Sequence, residues 1–417
     1  MSELPVQTMK AVFDHSTTAF ADRPSLSFVN GDPLTFAEFG DKVRTLQALY
    51  RRMGLRRGEK VALLGESMPN WGIAYYAAVT MGAVAVPILQ EFHESAVHHI
   101  VEHSESRLAV VSERFMDKIA EGDFDRLQGI IRMDNLTTAP EDGLRGKVLE
   151  AVRNGRSRVE KFTEQARKLA RVEKEEAVTI EEDDLACIIY TSGTTGHSKG
   201  VLLTHKNIVS NAQTASTLVD IGPQDTMLSV LPLAHTYECT FGLTFPLMQG
   251  CAVYYLEKPP SPRTLLPAME KIRPTFLILV PLVMEKIFKN RVKPKLTGSS
   301  ILRSLTRLNS AKKLLHKAAV RKLKNSFGGR VKLCCFGGAP LSPEVEEFLR
   351  NGGFPYAVGF GLTEASPLVS GCGPHLTKFK SCGPAIPGVS VRIANPKPDT
   401  GIGEIQVKGP NVMKGYY

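Results

Sequence analysis

The stretch Tyr190–Gly200 reads Y-T-S-G-T-T-G-H-S-K-G. Its glycines let backbone N–H groups close on an anion, its threonines and serines add hydroxyl donors, and Lys199 adds positive charge. Such a composition suits wrapping an oligophosphate, with a nucleoside triphosphate as the natural guest. The order is not that of a Walker A loop, because Ser198 precedes the lysine and Gly200 follows it. The flanks differ as well. Residues 184–189 read as a buried strand entering the loop, and Val201-Leu202-Leu203 leaves it as a second apolar run. Thr204 is placed to cap a helix beyond them. The stretch predicts a loop between two strands, able to flex over a phosphate tail; a Ser/Thr/Gly surface turn that holds nothing is the competing reading.

Four further blocks lie outward from it. They are L-P-L-A-H at Leu231–His235, G-G-A-P-L at Gly337–Leu341, G-F-G-L-T-E-A-S-P at Gly359–Pro367, and G-E-I-Q-V-K-G-P at Gly403–Pro410, running on to K-G-Y-Y at Lys414–Tyr417. With T-S-G-T-T-G-x-x-K-G at Thr191–Gly200 they resemble, in the same order, the motifs of the acyl-adenylate-forming superfamily. That superfamily includes acyl-CoA synthetases, the adenylation domains of peptide synthetases, and luciferases. The resemblance covers nearly the whole chain and departs at two positions: Ser198 stands where the family has proline, and Phe360 where it has tyrosine. The wording L-P-L-A-H and G-L-T-E-A-S-P is closest to long-chain fatty acyl-CoA synthetases.

The resemblance implies ATP-dependent activation of a fatty acid to an acyl-AMP, followed by thioester formation with CoA. ATP and a carboxylate are both anions, so their in-line reaction needs charge neutralisation and alignment. Glu364 is a carboxylate in a signature otherwise without charge, and is the candidate Mg²⁺ ligand; the family pattern adds the Thr191 hydroxyl. By the same pattern Thr191, Ser192, Gly193, Thr194, Thr195, Gly196 and Lys199 wrap the phosphates, and Thr363 meets the α-phosphate. Gly338, Ala339 and Pro340 are small enough for a flat base to lie against backbone, although a tight strand-to-helix turn would need the same residues. Phe360 can stack on adenine, with Gly361 and Leu362 beside it. His235 either borders the acyl carboxylate or is structural. The apolar run Thr240–Met248 suits an acyl tunnel wall and equally a plain core helix.

The implied fold is α/β: the large N-terminal domain of the adenylate-forming fold, with two parallel-sheet subdomains and part of a small β subdomain. Strand-like runs at 26–29, 61–63, 83–86 and 108–111 alternate with helical stretches such as 36–53 and 71–81, and the alternation resumes after the phosphate loop. The expected divisions are 1–180, with a charged connector over 153–176, then 181–382, then 383–417. The family runs on beyond Gly415-Tyr416-Tyr417 to a C-terminal lid domain with its own lysine. The chain is therefore expected to be an N-terminal portion that binds nucleotide weakly and turns over poorly.

Composition bounds the alternatives. The chain has 417 residues, 43% of them hydrophobic, enough for a large core. Its seven cysteines include no C-x-x-C, which argues against a disulfide frame or zinc site. Met1–Lys10 has no hydrophobic signal core, and no apolar run reaches the ~18 residues of a membrane span. A cytoplasmic enzyme, peripheral at the inner membrane surface or not, is expected, and a homodimer is compatible with it. His99-Ile100-Val101-Glu102-His103 fits H-x-x-E-H, but no third ligand can be assigned and the family places an ordinary helix there.

Charge is unevenly spread. Lys286–Lys332 holds fifteen Lys and Arg and no acid, against a net +10 for the whole chain. Ile301, Leu305, Leu308, Leu315 and Leu323 fall near one helical face there, a pattern that suits an anionic membrane surface. A polyphosphate-attracting patch near a CoA entrance and a solvated helix pair are the rival readings. Nucleic acid is not an expected partner, since no reading motif accompanies the patch. Two other function classes remain. One is an adenylating enzyme with a different acceptor, either a fatty acyl-AMP ligase or a peptide-synthetase module, the latter needing an acid such as Glu238 to pair a substrate amino group. The other is a non-catalytic, membrane-associated nucleotide- or acyl-binding module.

Overall fold

The computed structural model describes residues 6–120, 122–138, 179–191, 198–300, 304 and 308–417. Two sheets carry the fold. One has six strands, all parallel, in the order β1 (Leu26–Phe28), β10 (Ala252–Tyr255), β9 (Thr226–Ser229), β11 (Phe276–Leu279), β12 (Leu333–Phe336) and β13 (Tyr356–Val358). The other has eight. Its parallel centre is β7 (Leu185–Thr191), β3 (Val84–Ile88), β2 (Lys60–Leu64), β4 (Ser106–Val111) and β5 (Gly129–Arg132). Antiparallel strands flank that centre: β8 (Lys199–Thr204) and β18 (Gly415–Tyr416) on one side, β6 (Thr137–Thr138) on the other. Among the described residues there are also two small antiparallel ribbons, β14 (Phe360–Gly361) with β15 (Leu368–Ser370), and β16 (Ser390–Ala394) with β17 (Glu404–Lys408).

Local chemistry accounts for the elements. The helix Phe36–Arg52 starts on a capping box, the Thr35 hydroxyl accepting from the Glu38 N–H and the Glu38 carboxylate from the Thr35 N–H. The helix Pro69–Val79 is apolar on every side and buried from Trp71 onward. Strand side chains alternate between faces, as period two requires. On β11, Phe276 and Ile278 join a core shared with β2, β3, β7 and β8, while Leu277 and Leu279 join a second core under helices on the other side. The central core thus lies between the two sheets and draws on both.

The expected α/β architecture is present, but strand pairing does not follow the expected divisions at 180/181 and 382/383. β1, early in the chain, completes the six-stranded sheet, whereas the β7–β8 hairpin belongs with the early strands. β18 leaves the 383–417 segment to close the edge of the eight-stranded sheet. The apolar side of β7 alternates into the central core, and a sequence-local boundary would have left that side exposed. The charged connector at 153–176 lies outside the described residues. No helix among the described residues is long and apolar enough to cross a membrane.

Candidate functional site

A cavity of about 420 Å³ opens where the carboxyl ends of the β12 and β13 strands meet the β7–β8 hairpin. Parallel α/β sheets place ligands at that edge. Its polar lining includes Thr191, His235, Thr363 and Glu364; its apolar lining includes Phe241, Phe245, Phe276, Ile278 and Leu333. Along β12, Leu333 and Cys335 point into it and Gly337-Gly338 form its rim. Leu333 to Gly337 spans about 13 Å of extended chain, so the cavity's lining follows β12 over that distance.

Thr191 is the last residue of β7 and pairs directly with Lys199, the first of β8. The predicted strand–loop–strand is therefore present. Ser192, Gly193, Thr194, Thr195 and Gly196, expected to hold phosphates, lie outside the described residues. Beyond the hairpin, Thr204 caps the helix His205–Leu218, and Asn207 closes the capping box.

Lys199 and Glu364 are joined through one side chain. The Lys199 ammonium stands 5.3 Å from the centre of the Tyr416 ring, and the Tyr416 hydroxyl donates to Glu364 Oε1 at 2.9 Å. That arrangement follows from β18 pairing with β8, which sets Tyr416 opposite Val201. Glu364 itself sits on a short 3₁₀ turn, Thr363–Ala365, whose first donor-acceptor closure is the Ala365 N–H on the Leu362 carbonyl. Three asparagine and threonine side chains pin that turn. Asn411 donates to the Ala365 and Leu368 carbonyls, Asn211 donates to the Leu368 carbonyl and accepts from its N–H, and Thr240 donates to the Ser366 carbonyl. Asn207 in turn holds the Pro410 and Val412 carbonyls, fixing the turn that carries Asn411.

The adenine-type motifs divide. Gly338, Phe360, Gly361 and Leu362 line the cavity, whereas Ala339 and Pro340 are exposed and outside its lining. Gly338 has φ +82°, the left-handed region that favours glycine. At Gly361 a Cβ would fall 2.1 Å from the Pro367 carbonyl oxygen, so the approach of those two backbones requires glycine.

His235 caps a short turn, its Nδ1 accepting the Tyr237 N–H at 3.2 Å, which leaves Nε2 to carry the proton of the neutral ring. The ring is open to the cavity yet surrounded by protein, and this desolvation pulls its pKa below the ordinary imidazole value against the opposing Glu91 charge. Behind it Glu238 is completely buried and does not line the cavity. Ser229 donates to Glu238 Oε1 at 2.5 Å, and burial pushes the pKa up to about 8 against the lowering effect of Ser229 and the Val230 and Leu231 backbone. It cannot pair a substrate amino group across that cavity. The segment after it, Cys239–Thr244, is a single π-helical stretch leading into Phe245–Met248, and Phe241 and Phe245 face the cavity from it. An aromatic ladder results, Tyr237–Phe241–Phe245–Phe276, with successive ring centres 6.2, 6.4 and 5.9 Å apart.

The H-x-x-E-H histidines serve other contacts. His103 Nδ1 lies 2.7 Å from the Tyr190 hydroxyl and its ring packs edge-on against Tyr417. Among the described residues no group of three His, Cys, Asp or Glu is arranged to hold a metal. For a hard cation bridging phosphates the donor set is Glu364 and Thr191, both oxygen ligands on one cavity, which is the chemistry magnesium prefers. Sequence reasoning did not single out Phe276, Ile278, Leu333, Tyr416 or the asparagines. Strand alternation could have found the first three; the others carry no local signal.

A family model described as AMP-binding enzyme matches residues 13–417. The long-chain-fatty-acid–CoA ligase ACSBG2 of Rattus norvegicus is 27% identical over 98% of this chain and 64% of its own length. The peroxisomal long chain acyl-CoA synthetase 6 of Arabidopsis thaliana is 28% identical over 99% of this chain and 62% of its own. The chain thus spans about three fifths of the length of these curated relatives. Among solved structures, the N-terminal domain of FACL13 from Mycobacterium tuberculosis superposes with a TM-score of 0.74 at 19% identity, covering 98% of this chain and 91% of that one. ATP-bound MatB from Rhodopseudomonas palustris gives 0.71 at 24% identity, covering 98% and 72%. These two likenesses establish the adenylate-forming N-terminal fold.

Proposed function

The chain belongs to the AMP-binding enzyme family, and we propose from this premise that it carries the site for ATP-dependent activation of a long-chain fatty acid, the acyl group passing on to CoA. One observation carries the reading: phosphate-type donors and an apolar recess share a single cavity. A carboxylate oxygen of the acid attacks the α-phosphorus, the bond to the bridging oxygen breaks, and pyrophosphate leaves with acyl-AMP remaining. The CoA thiolate then attacks the acyl carbonyl and AMP departs.

Each side chain has a task in that scheme. Lys199 neutralises the departing pyrophosphate, and Thr363 donates to the α-phosphate. Phe360, Gly361 and Gly338 receive the base. Glu364 and Thr191 would hold magnesium, which when bound offsets phosphate charge. His235, neutral near pH 7, can donate from Nε2 to the acyl carboxylate without adding a second cation. Phe241, Phe245, Phe276, Ile278 and Leu333 take the alkyl chain. A cytoplasmic setting, in which thiols persist, accompanies this reading. The peptide-synthetase alternative loses its acid, because Glu238 is sealed away from the cavity.

Calorimetric titration tests it. ATP is expected to bind in the presence of magnesium and not in chelator, binding is to be lost in Glu364→Gln, and a fatty acid added next is to bind more tightly to the ATP-loaded chain. Absence of magnesium-dependent ATP heat would refute the assignment.

A further inference from the structure

The helix Asn309–Ser326 carries six basic residues and no acid. Of the expected apolar face, Ile301 and Leu305 lie outside the described residues and Leu308 is exposed, whereas Leu323 turns inward with His316 and Val320, His316 packing on Phe348 of the helix Pro343–Gly352 with ring centres 5.3 Å apart. Lys312, beside that face, is paired to Glu347 at 2.6 Å. The opposite face is different. Lys313, Lys317 and Arg321 follow one another at every fourth position, with Leu314, Ala318 and Lys322 alongside, and all six are exposed. None of these four cations has an ion-pair partner among the described residues, although Lys10, Arg44 and Lys293 elsewhere are paired with acids. Like charges one turn apart repel and weaken a helix. Leu314 is 70% exposed and Leu308, just ahead of the helix, 62%.

We propose that this outer face docks on an anionic lipid bilayer, lying along it through Lys313, Lys317, Arg321 and Lys322, with Leu308 and Leu314 entering the headgroup layer. Two leucines are too little apolar area for a stable protein interface, and they have no counterpart on a phosphodiester backbone. Beside a row of cations they match the boundary between headgroups and acyl chains. Orientation follows from charge: the fifteen basic residues of Lys286–Lys332 exceed the chain's net +10, so the remainder is acidic on balance and is repelled by the same surface. The docking does not depend on the adenylation reading.

Vesicle sedimentation of the 417-residue chain decides it, comparing phosphatidylcholine alone with phosphatidylcholine containing about one-third phosphatidylglycerol. Expected are pelleting with anionic vesicles at about 50 mM salt, release at about 500 mM, and no pelleting with neutral vesicles. The variant Lys313→Gln/Lys317→Gln/Arg321→Gln should partition on the order of a hundredfold less. If that variant melts early, Lys317→Glu alone carries the test, with a loss of about tenfold. No binding to anionic vesicles, equal binding to neutral ones, unchanged binding by the folded variants, or binding only to nucleic acid or an acidic protein would each overturn the proposal.

Discussion

Tyr416 holds two charged side chains in register. Its ring lies under Lys199 and its hydroxyl reaches Glu364, an arrangement that raises the phenol pKa through the carboxylate contact. Outer partners of a ligating carboxylate orient it, so Tyr416→Phe should weaken magnesium-dependent ATP binding about tenfold while the ring stays under the lysine. Unchanged affinity by calorimetry would contradict that. Glu238 bears on stability. Its folded pKa of about 8 stands above the ordinary 4.5, so the folded chain holds the proton more tightly. Its contribution is complete below pH 4.5 and is lost as pH rises towards 8. His205 runs the other way: buried, with Nδ1 accepting the Met9 N–H, its pKa falls from 6.5 to about 4, and its contribution disappears as pH falls between those values. Glu238→Gln should therefore be more stable than the parent at pH 8, by a few kcal/mol, with the gap closing near pH 5. Urea unfolding at the two pH values checks this, and a parallel offset at both would speak against it.

At the scale of elements, the 3₁₀ turn Thr363–Ala365 is too short to hold its own geometry. Its position comes from side chains far off in sequence, above all Asn411, whose amide reaches the Ala365 and Leu368 carbonyls at 3.0 and 2.9 Å. Asn411→Ala leaves the Ala365 carbonyl unsatisfied, the Leu368 carbonyl keeping Asn211, and should cost about 1–3 kcal/mol, with weaker ATP binding because Glu364 loses its support. Denaturant midpoints and ATP titration together test both halves; a stability loss with unaltered ATP affinity would mean that the turn holds without Asn411. The π-helical stretch Cys239–Thr244 has a comparable role for Phe241, presenting it to the cavity beside Phe245.

At the scale of the molecule, one core lies between the two sheets and includes Val61 and Ala85 from one, and Met227 and Phe276 from the other. Because β1 and β18 cross between the early and late parts of the chain, neither sheet can be completed by a continuous segment. Heat should unfold both sheets in one cooperative transition, with calorimetric and van't Hoff enthalpies in agreement. Two resolved endotherms would show that the core does not couple them.

That Thr191, Thr363 and Glu364 share a cavity, with Lys199 paired to Thr191 beside it, was legible in the sequence because these residues sit in short runs whose glycines, hydroxyls and single charges adjoin one another. The strands and capped helices were legible for the same reason, their signals being periodic and local. What only the tertiary structure decided is which distant pieces share a surface: Tyr416 between Lys199 and Glu364, Asn411 under the turn, Glu238 sealed behind Ser229, Ala339 and Pro340 left outside, and the leucines of the basic helix turned partly inward. Those outcomes depend on strand order and on alternation across two packed sheets, where a residue's neighbours are set by hydrogen-bonded pairing between segments and not by its place in the chain.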